Sequence, residues 1–113
     1  MNENIDITVS INNEIKSNDV VLFMKGTPDF PMCGFSASIV QVLKDMSIEF
    51  NSVNVLDNDK MREGIKKYSN WPTIPQLYVK EEFIGGCDIV KEMNESGELL
   101  ELFNTKGVQV KSY

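Results

Sequence analysis

The chain has 113 residues, a formal net charge of −6 at pH 7 and no histidine. A chain of this length folds as one domain without needing a disulfide, and its acidic charge argues against nucleic acids and anionic membranes as general partners, because phosphate contacts need clustered Lys and Arg. The missing histidine excludes Cys-His nucleophilic catalysis and His-containing zinc sites.

The amino terminus and the hydropathy pattern indicate where the chain resides. No run approaches the roughly 18 apolar residues of a membrane span. The start, Met1-Asn2-Glu3-Asn4, lacks the basic residues of a signal peptide and the Arg-rich composition of a transit peptide. We therefore expect no membrane contact and a cytoplasmic location, or a compartment that the mature chain already occupies.

The first two predicted elements are an amphipathic helix and a buried strand. Isoleucines recur at four-residue spacing from Ile7 to Ile15, which predicts a helix that begins near Asp6. Val9 falls on a neighbouring stripe of the same helix. The run at 20–24 is continuously apolar and rich in strand formers, as expected of a central strand buried on both faces.

A proline-punctuated loop then leads to Cys33 at the predicted start of a second helix, over 34–46. Lys25 stands at the carboxyl end of the preceding strand, where ligands of α/β folds usually bind. A thiol at a helix start faces unpaired N–H groups and the positive end of the helix dipole, which favour the thiolate and lower the thiol pKa. The position of a resolving cysteine in a C-x-x-C motif is Ser36, so the site can begin a disulfide exchange but cannot finish it there.

A second strand, over 50–55, and a third helix follow. The third helix is capped by Asp57-Asn58-Asp59, and its predicted buried face consists of Met61, Ile65 and Tyr68. On another face Arg62 and Lys66 lie four residues apart. From this segment alone, their simplest interpretation is a solvated basic surface.

The last third of the chain predicts a rigid turn, a hairpin and two helices. Two prolines within Trp71-Pro72-Thr73-Ile74-Pro75 force extended backbone before each of them. Short strands over 76–79 and 82–84 are joined by two residues, which indicates a hairpin. Two glycines then lead to a helix that Asp88 is placed to cap, and such a helix start suits a carboxylate or a phosphate. The closing helix runs over 97–103 and ends before Gly107.

The two cysteines, Cys33 and Cys87, are far apart in sequence and show no metal-finger spacing. A small buried apolar residue is one interpretation of Cys87. A Cys33–Cys87 disulfide requires the fold to bring the two residues together, and a reducing compartment would oppose it.

The order of elements predicts the fold class. The chain begins with strands joined by crossover helices and ends with an antiparallel hairpin, which indicates an α/β domain with a central mixed four-stranded sheet and about five flanking helices. We expect residues 1–113 to form this single domain, with its core over about residues 4–104 and a loose C-terminal tail.

Four motifs in this order carry a resemblance to a known family. They are Met24-Lys25-Gly26-Thr27-Pro28, Cys33-Gly34-Phe35-Ser36, Asn70-Trp71-Pro72-Thr73-Ile74-Pro75-Gln76-Leu77 and Gly85-Gly86-Cys87-Asp88. The sequence resembles the monothiol glutaredoxins of the Cys-Gly-Phe-Ser type from about Asn4 to Phe103. The resemblance implies a thioredoxin fold with a cis peptide before Pro75.

The resemblance also implies that the chain binds glutathione. Lys25 and Arg62 match the positions that hold the glycine carboxylate, so the resemblance favours a binding role for Arg62 over a solvated one. The backbone of Ile74 would pair with the cysteinyl backbone of the ligand. The N–H groups of Cys87 and Asp88, with the Asp88 carboxylate, would receive the γ-glutamyl carboxylate and amine, so that Cys87 acts mainly through its backbone. Lys66 matches only in its basic character and is not assigned.

Members of this group form homodimers that bridge a [2Fe-2S] cluster and pass it to other proteins. Four thiolates usually hold such a cluster, and the resemblance implies that Cys33 of each copy and two glutathione thiols supply them. By counting alone, two Cys33 and two Cys87 would also suffice. A BolA-type protein and apo iron–sulfur proteins are the further partners that the family comparison suggests.

Two other functions stay open at this point. One is a glutathione-dependent oxidoreductase that removes glutathione from mixed disulfides through Cys33. The extended loop over 27–32, which the resemblance associates with weak reductase activity, argues against it. The other is a redox-silent adaptor. We therefore predict a cluster carrier that is at most a weak enzyme.

Overall fold

The structure is a computed structural model that describes residues 3–110, with side chains from residue 7 onward. Within that range it contains five α-helices, four strands and one short 3-10 turn. The helices are α1 (Glu3–Ser17), α2 (Gly34–Asp45), α3 (Asp59–Ser69), α4 (Cys87–Ser96) and α5 (Glu98–Thr105), the strands are β1 (Val20–Met24), β2 (Asn51–Asn54), β3 (Gln76–Val79) and β4 (Glu82–Gly85), and the 3-10 turn is Val55–Asp57.

The four strands form one mixed sheet in the order β2-β1-β3-β4. β1 pairs in parallel with β2 and antiparallel with β3, and β3 pairs antiparallel with β4. Every residue of β1 is buried, as expected of a continuous apolar run between two neighbours. The predicted mixed four-stranded sheet and its central strand are therefore confirmed.

Side chains of β1 alternate between two hydrophobic cores. Leu22 and Met24 pack among residues of α2, α4 and α5 on one face, whereas Val21 and Phe23 pack with residues of α1 and α3 on the other. This alternation is the period-two geometry of a strand. Packing on both faces of the sheet holds β1 in place, so the residues that follow its carboxyl end start from a fixed position.

The predicted start of the first helix and one predicted buried position of the third helix are wrong, and the neighbouring stripe of the first helix is partly exposed. α1 begins at Glu3 rather than near Asp6, and Val9 is exposed while Ile11 is buried. Tyr68 of α3 is also exposed, and its hydroxyl donates a hydrogen bond to Asn12 Oδ1 at 2.7 Å. α1 and α3 pack against each other, so the residues at the margins of their apolar stripes face solvent.

The packed region extends beyond the predicted end near residue 104. Gly107 ends α5 in a left-handed conformation with φ of +77°, Val108 is buried, and Val110 packs against the same core. The rest of the predicted loose tail, 111–113, and the first two residues lie outside the described part of the chain. Among the described residues, no helix combines the length and the apolar character needed to cross a membrane.

Candidate functional site

A cleft of about 550 Å³ lies where the carboxyl end of β1 meets the starts of α2 and α4 and one face of α3. All the residues predicted from the sequence to form a site line this cleft: Lys25, Cys33, Arg62, Ile74, Cys87 and Asp88. The fold therefore brings together residues that are up to 63 positions apart, from Lys25 to Asp88. Their individual binding roles remain predictions.

Cys33 occupies the N-cap position of α2 in an extended conformation, with φ of −153°, and its side chain is partly exposed. The backbone N–H of Ser36 is the main cause that lowers the pKa of the Cys33 thiol, while partial burial opposes it and the N–H of Phe35 and the charge of Lys25 assist. The direction of this shift agrees with the one expected for a thiol at a helix start.

Ser36 holds the thiol and the end of β1 together. Its side chain is fully buried, and its Oγ accepts a hydrogen bond from the backbone N–H of Lys25 at 3.1 Å. The same hydroxyl is the smallest of the causes that lower the pKa of the Cys33 thiol. The position of a resolving cysteine is therefore taken by a group that positions Cys33 and stabilises its thiolate.

The loop between β1 and α2 is fixed by its own backbone. Met32 N–H donates to Lys25 O at 2.9 Å, and Thr27 and Phe30 exchange two hydrogen bonds. Gly26 has a φ of +92°, and a Cβ there would lie 2.5 Å from Phe30 O, so this tight turn requires glycine.

Exposed apolar side chains flank Cys33 in the sequence, and we call them the apolar rim: Phe30 and Met32 of this loop and Phe35 in the first turn of α2. They are 77%, 70% and 62% exposed, and Phe35 lines the cleft together with Cys33. Large apolar side chains left in solvent are typical of a surface that a partner covers.

The other end of the cleft is basic. Lys25, Arg62 and Lys66 line it together with Glu63. Glu63 Oε2 lies 3.4 Å from Lys66 Nζ and 3.7 Å from Arg62 Nε. Sequence reasoning left Lys66 unassigned and missed Glu63. The only available signal was the spacing of acid and base along α3, which does not reveal which face of the helix meets the cleft.

The wall between these ends is the segment from Trp71 to Gln76, and it contains the expected cis peptide between Ile74 and Pro75. The side chain of Gln76 is buried, and its Nε2 donates to Trp71 O at 3.2 Å and to Thr73 O at 3.1 Å. These bonds fix the turn that presents the Ile74 backbone to the cleft. Trp71, which sequence reasoning did not select, also lines it and packs against Phe83 at 5.7 Å between ring centroids.

The start of α4 differs from the prediction. Gly86, not Asp88, is the N-cap residue, because β4 continues to Gly85 and the helix begins at the next possible turn. Asp88 lies in the first turn of α4 and lines the cleft. The N–H groups of this first turn lack intrahelical acceptors, so they are available to a ligand carboxylate.

Cys87 lies in the cleft but differs chemically from Cys33. Burial raises the pKa of the Cys87 thiol, and the charge of Lys91 and a hydrogen bond with the Ser38 side chain oppose that rise. The charge of Cys33 also raises this pKa, so the two sulfurs are electrostatic neighbours. Both cysteines are free thiols in the structure.

Comparison with known proteins agrees with the geometry of the cleft. The glutaredoxin family model matches residues 20–84. Monothiol glutaredoxin-S14, chloroplastic, of Arabidopsis thaliana is 59% identical over 87 residues, which are 77% of this chain and 50% of that protein. This chain therefore spans half the length of that relative. Probable monothiol glutaredoxin 2 of Rickettsia typhi is 49% identical over 90% of this chain and 92% of its own.

A solved structure agrees as well. The solution structure of a monomeric truncated mutant of Trypanosoma brucei 1-C-Grx1 has a TM-score of 0.86 and 44% identity, and the match covers 93% of this chain and 96% of that one. Glutaredoxins have the thioredoxin fold, so the fold predicted from the sequence is confirmed. This chain belongs to the glutaredoxin family, among the monothiol glutaredoxins.

Proposed function

We propose that this protein binds glutathione in the cleft and uses it, together with Cys33, to carry a [2Fe-2S] cluster between two copies of the chain for transfer to other proteins. One observation carries the proposal. An activated, partly exposed thiol without a resolving cysteine lies in a cleft with cations at one end and a free helix start at the other.

The charges of the cleft match the two ends of glutathione. The glycine carboxylate would bind Lys25 and Arg62, because cations that line a cleft attract an anionic group most strongly at short range. The γ-glutamyl carboxylate would accept from the N–H groups of Cys87 and Asp88, and the Asp88 carboxylate would pair with the amine. The backbone of Ile74 would hold the middle of the tripeptide, which places its thiol near Cys33.

The residues of the cleft also fit a shared cluster. A [2Fe-2S] cluster usually takes four thiolates, and the described residues contain no group of three or more His, Cys, Asp or Glu side chains arranged for a metal ion. We propose that one chain contributes Cys33 alone, because Cys87 is assigned to the carboxylate end of glutathione, and that two glutathione thiols and a second Cys33 complete the set. When bound, the cluster would supply iron and sulfide as the cargo of the transfer.

The apolar rim supports contact with another protein at this site. Phe30, Met32 and Phe35 lie within three residues of Cys33 in the sequence and are exposed, so a second copy, a BolA-type protein or an apo iron–sulfur acceptor that covers this segment would bury apolar area. We propose the homodimer as the cluster-bound state.

Purification without oxygen in the presence of glutathione tests this proposal. We expect a coloured dimer with about one cluster for each pair of chains. Cys33→Ser should abolish the visible absorbance, whereas Cys87→Ser should retain it. A cluster kept without Cys33, or lost wholly without Cys87, would contradict this ligand set, and the second result would favour two Cys33 and two Cys87.

A glutathione-dependent oxidoreductase is the second candidate, and the lowered pKa of Cys33 favours it. The Cys33 thiolate would attack the glutathione sulfur of a mixed disulfide, and the other protein would leave as its thiolate. A second glutathione thiolate would then attack the Cys33 mixed disulfide, giving oxidised glutathione and free Cys33. Rapid turnover of a glutathionylated peptide by protein that shows no cluster absorbance would establish this function instead.

A further inference from the structure

Glu63 lies among the cations at the basic end of the cleft. Its Oε2 is close to both Arg62 Nε and Lys66 Nζ, at 3.7 and 3.4 Å. Its side chain is 59% exposed and lines the cleft. A carboxylate of the protein thus stands where the carboxylate of a ligand is expected to bind.

The three cations at this end are not equally available. Arg62 also pairs with Asp59, whose Oδ1 lies 3.4 Å from Arg62 Nη2, but Asp59 does not line the cleft. Arg62 Nε is buried and lacks a hydrogen-bond partner among the described residues. Lys25 forms no ion pair with any residue that the structure describes. Within residues 7–110, two carboxylates line the cleft, those of Glu63 and Asp88, and Glu63 is the one that forms ion pairs with Arg62 and Lys66.

We propose that Glu63 is a specificity-determining residue that competes with the C-terminal carboxylate of the ligand for Arg62, one of the two cations proposed to bind that carboxylate. The inference rests on the proposed binding of glutathione. Two carboxylates near the same cations repel each other, so binding requires Glu63 to move away or to share its partners. Glu63 thereby lowers the affinity for a ligand with a free glycine carboxylate. It also reduces the difference in affinity between glutathione and thiol tripeptides whose terminal carboxyl group is esterified or amidated.

Glu63→Gln tests the inference, because it keeps the size of the side chain and removes its charge. Binding of reduced glutathione and of its glycine ethyl ester is followed by NMR titration of the reduced, cluster-free protein without oxygen. Exposed ion pairs are weak, so we expect Glu63→Gln to bind glutathione about 1.5- to 5-fold more tightly. Binding of the ester should not change, and the gain should shrink as ionic strength rises.

Glu101→Gln is the matched control. It removes the same charge from an exposed position on α5, outside the residues that line the cleft, and it should leave both affinities unchanged. Two results would show a general effect of net charge and overturn the inference. One is an equal gain in affinity for both ligands in Glu63→Gln, and the other is the same gain in glutathione affinity in Glu101→Gln.

Two further outcomes separate this inference from the proposed function. Weaker glutathione binding by Glu63→Gln would mean that Glu63 orients Arg62 instead of competing with the ligand, and would overturn the inference while the proposed function stands. Wild-type protein that binds neither glutathione nor the ester would refute both.

Discussion

Replacing Ser36 with alanine changes the surroundings of the Cys33 thiol and leaves Cys33 itself in place. The Ser36 hydroxyl accepts from the backbone N–H of Lys25 at 3.1 Å and helps to lower the pKa of the Cys33 thiol, and the side chain is fully buried. Ser36→Ala would leave the Lys25 N–H without this acceptor and would remove the contribution of the hydroxyl to the pKa of Cys33. We therefore expect both the stability of the fold and the acidity of the thiol to decrease.

The two effects differ in size. The bond is partly buried, and a backbone N–H that loses its acceptor there costs about 1 kcal/mol, the lower end of the range for a buried group, which lowers Tm by roughly 4 °C in a domain of this size. The pKa of Cys33 should rise but stay below its ordinary value, because the largest cause of its lowering is the backbone N–H of Ser36, and alanine retains that group.

The assay is the pH dependence of alkylation by iodoacetamide, measured in a Cys87→Ser background so that only Cys33 reacts. A raised pKa means a smaller thiolate fraction at pH 7, so Ser36→Ala should react more slowly there. The two rates should converge at a pH above the ordinary pKa of a thiol. Ser17→Ala, at an exposed position of α1, is the control for Tm. An alkylation profile identical to the parent's, with a Tm equal to that of Ser17→Ala, would refute this reasoning.

Three further predictions concern the loop, the two thiols and the sheet. Gly26→Ala should destabilise the fold by more than about 1 kcal/mol in a denaturant titration. Gly34→Ala should instead stabilise it by about 0.4–1 kcal/mol, because a Cβ at Gly34 meets nothing within 4 Å. At pH 7 mass spectrometry should find Cys33 alkylated before Cys87, since their pKa values are shifted in opposite directions, and equal rates would contradict this. Burial raises the pKa of Tyr78 to about 12, above its value in the unfolded chain. Its contribution to stability is therefore complete below about pH 10 and is lost as the pH rises toward 12. Tyr78→Phe should make the free energy of unfolding less dependent on pH in that range.

Much of the fold follows from the sequence because its main signals are local. The continuous apolar run of β1 indicated a strand with neighbours on both sides, and the structure places it in the middle of the sheet. The two residues between β3 and β4, Lys80 and Glu81, both take positive φ values, +48° and +71°. Neither is a residue that prefers such a turn, so the spacing of the flanking strands, not the turn residues, predicted the hairpin.

The errors in the prediction lie where tertiary packing decides. Asp88 carries a good capping side chain, but β4 ends at Gly85, and the N-cap lies two residues earlier than predicted, at Gly86. Val9 and Tyr68 belong to apolar stripes whose margins stay in solvent once α1 and α3 have packed together. Glu63 could not be selected because the face of α3 that meets the cleft depends on how the helix docks on the sheet.

Lys25, which follows β1, affects both the Cys33 thiol and the basic part of the cleft. Its backbone N–H is bound by Ser36, which also contacts the thiol, while its side chain lines the basic end and its charge lowers the pKa of Cys33. At physiological ionic strength charges are screened beyond about 8 Å, so these near groups dominate over the net charge of −6. The end of β1 can therefore stabilise a thiolate and attract an anionic ligand at the same point, and a ligand that brings its own thiol, as we propose for glutathione, would supply the sulfur that Ser36 lacks.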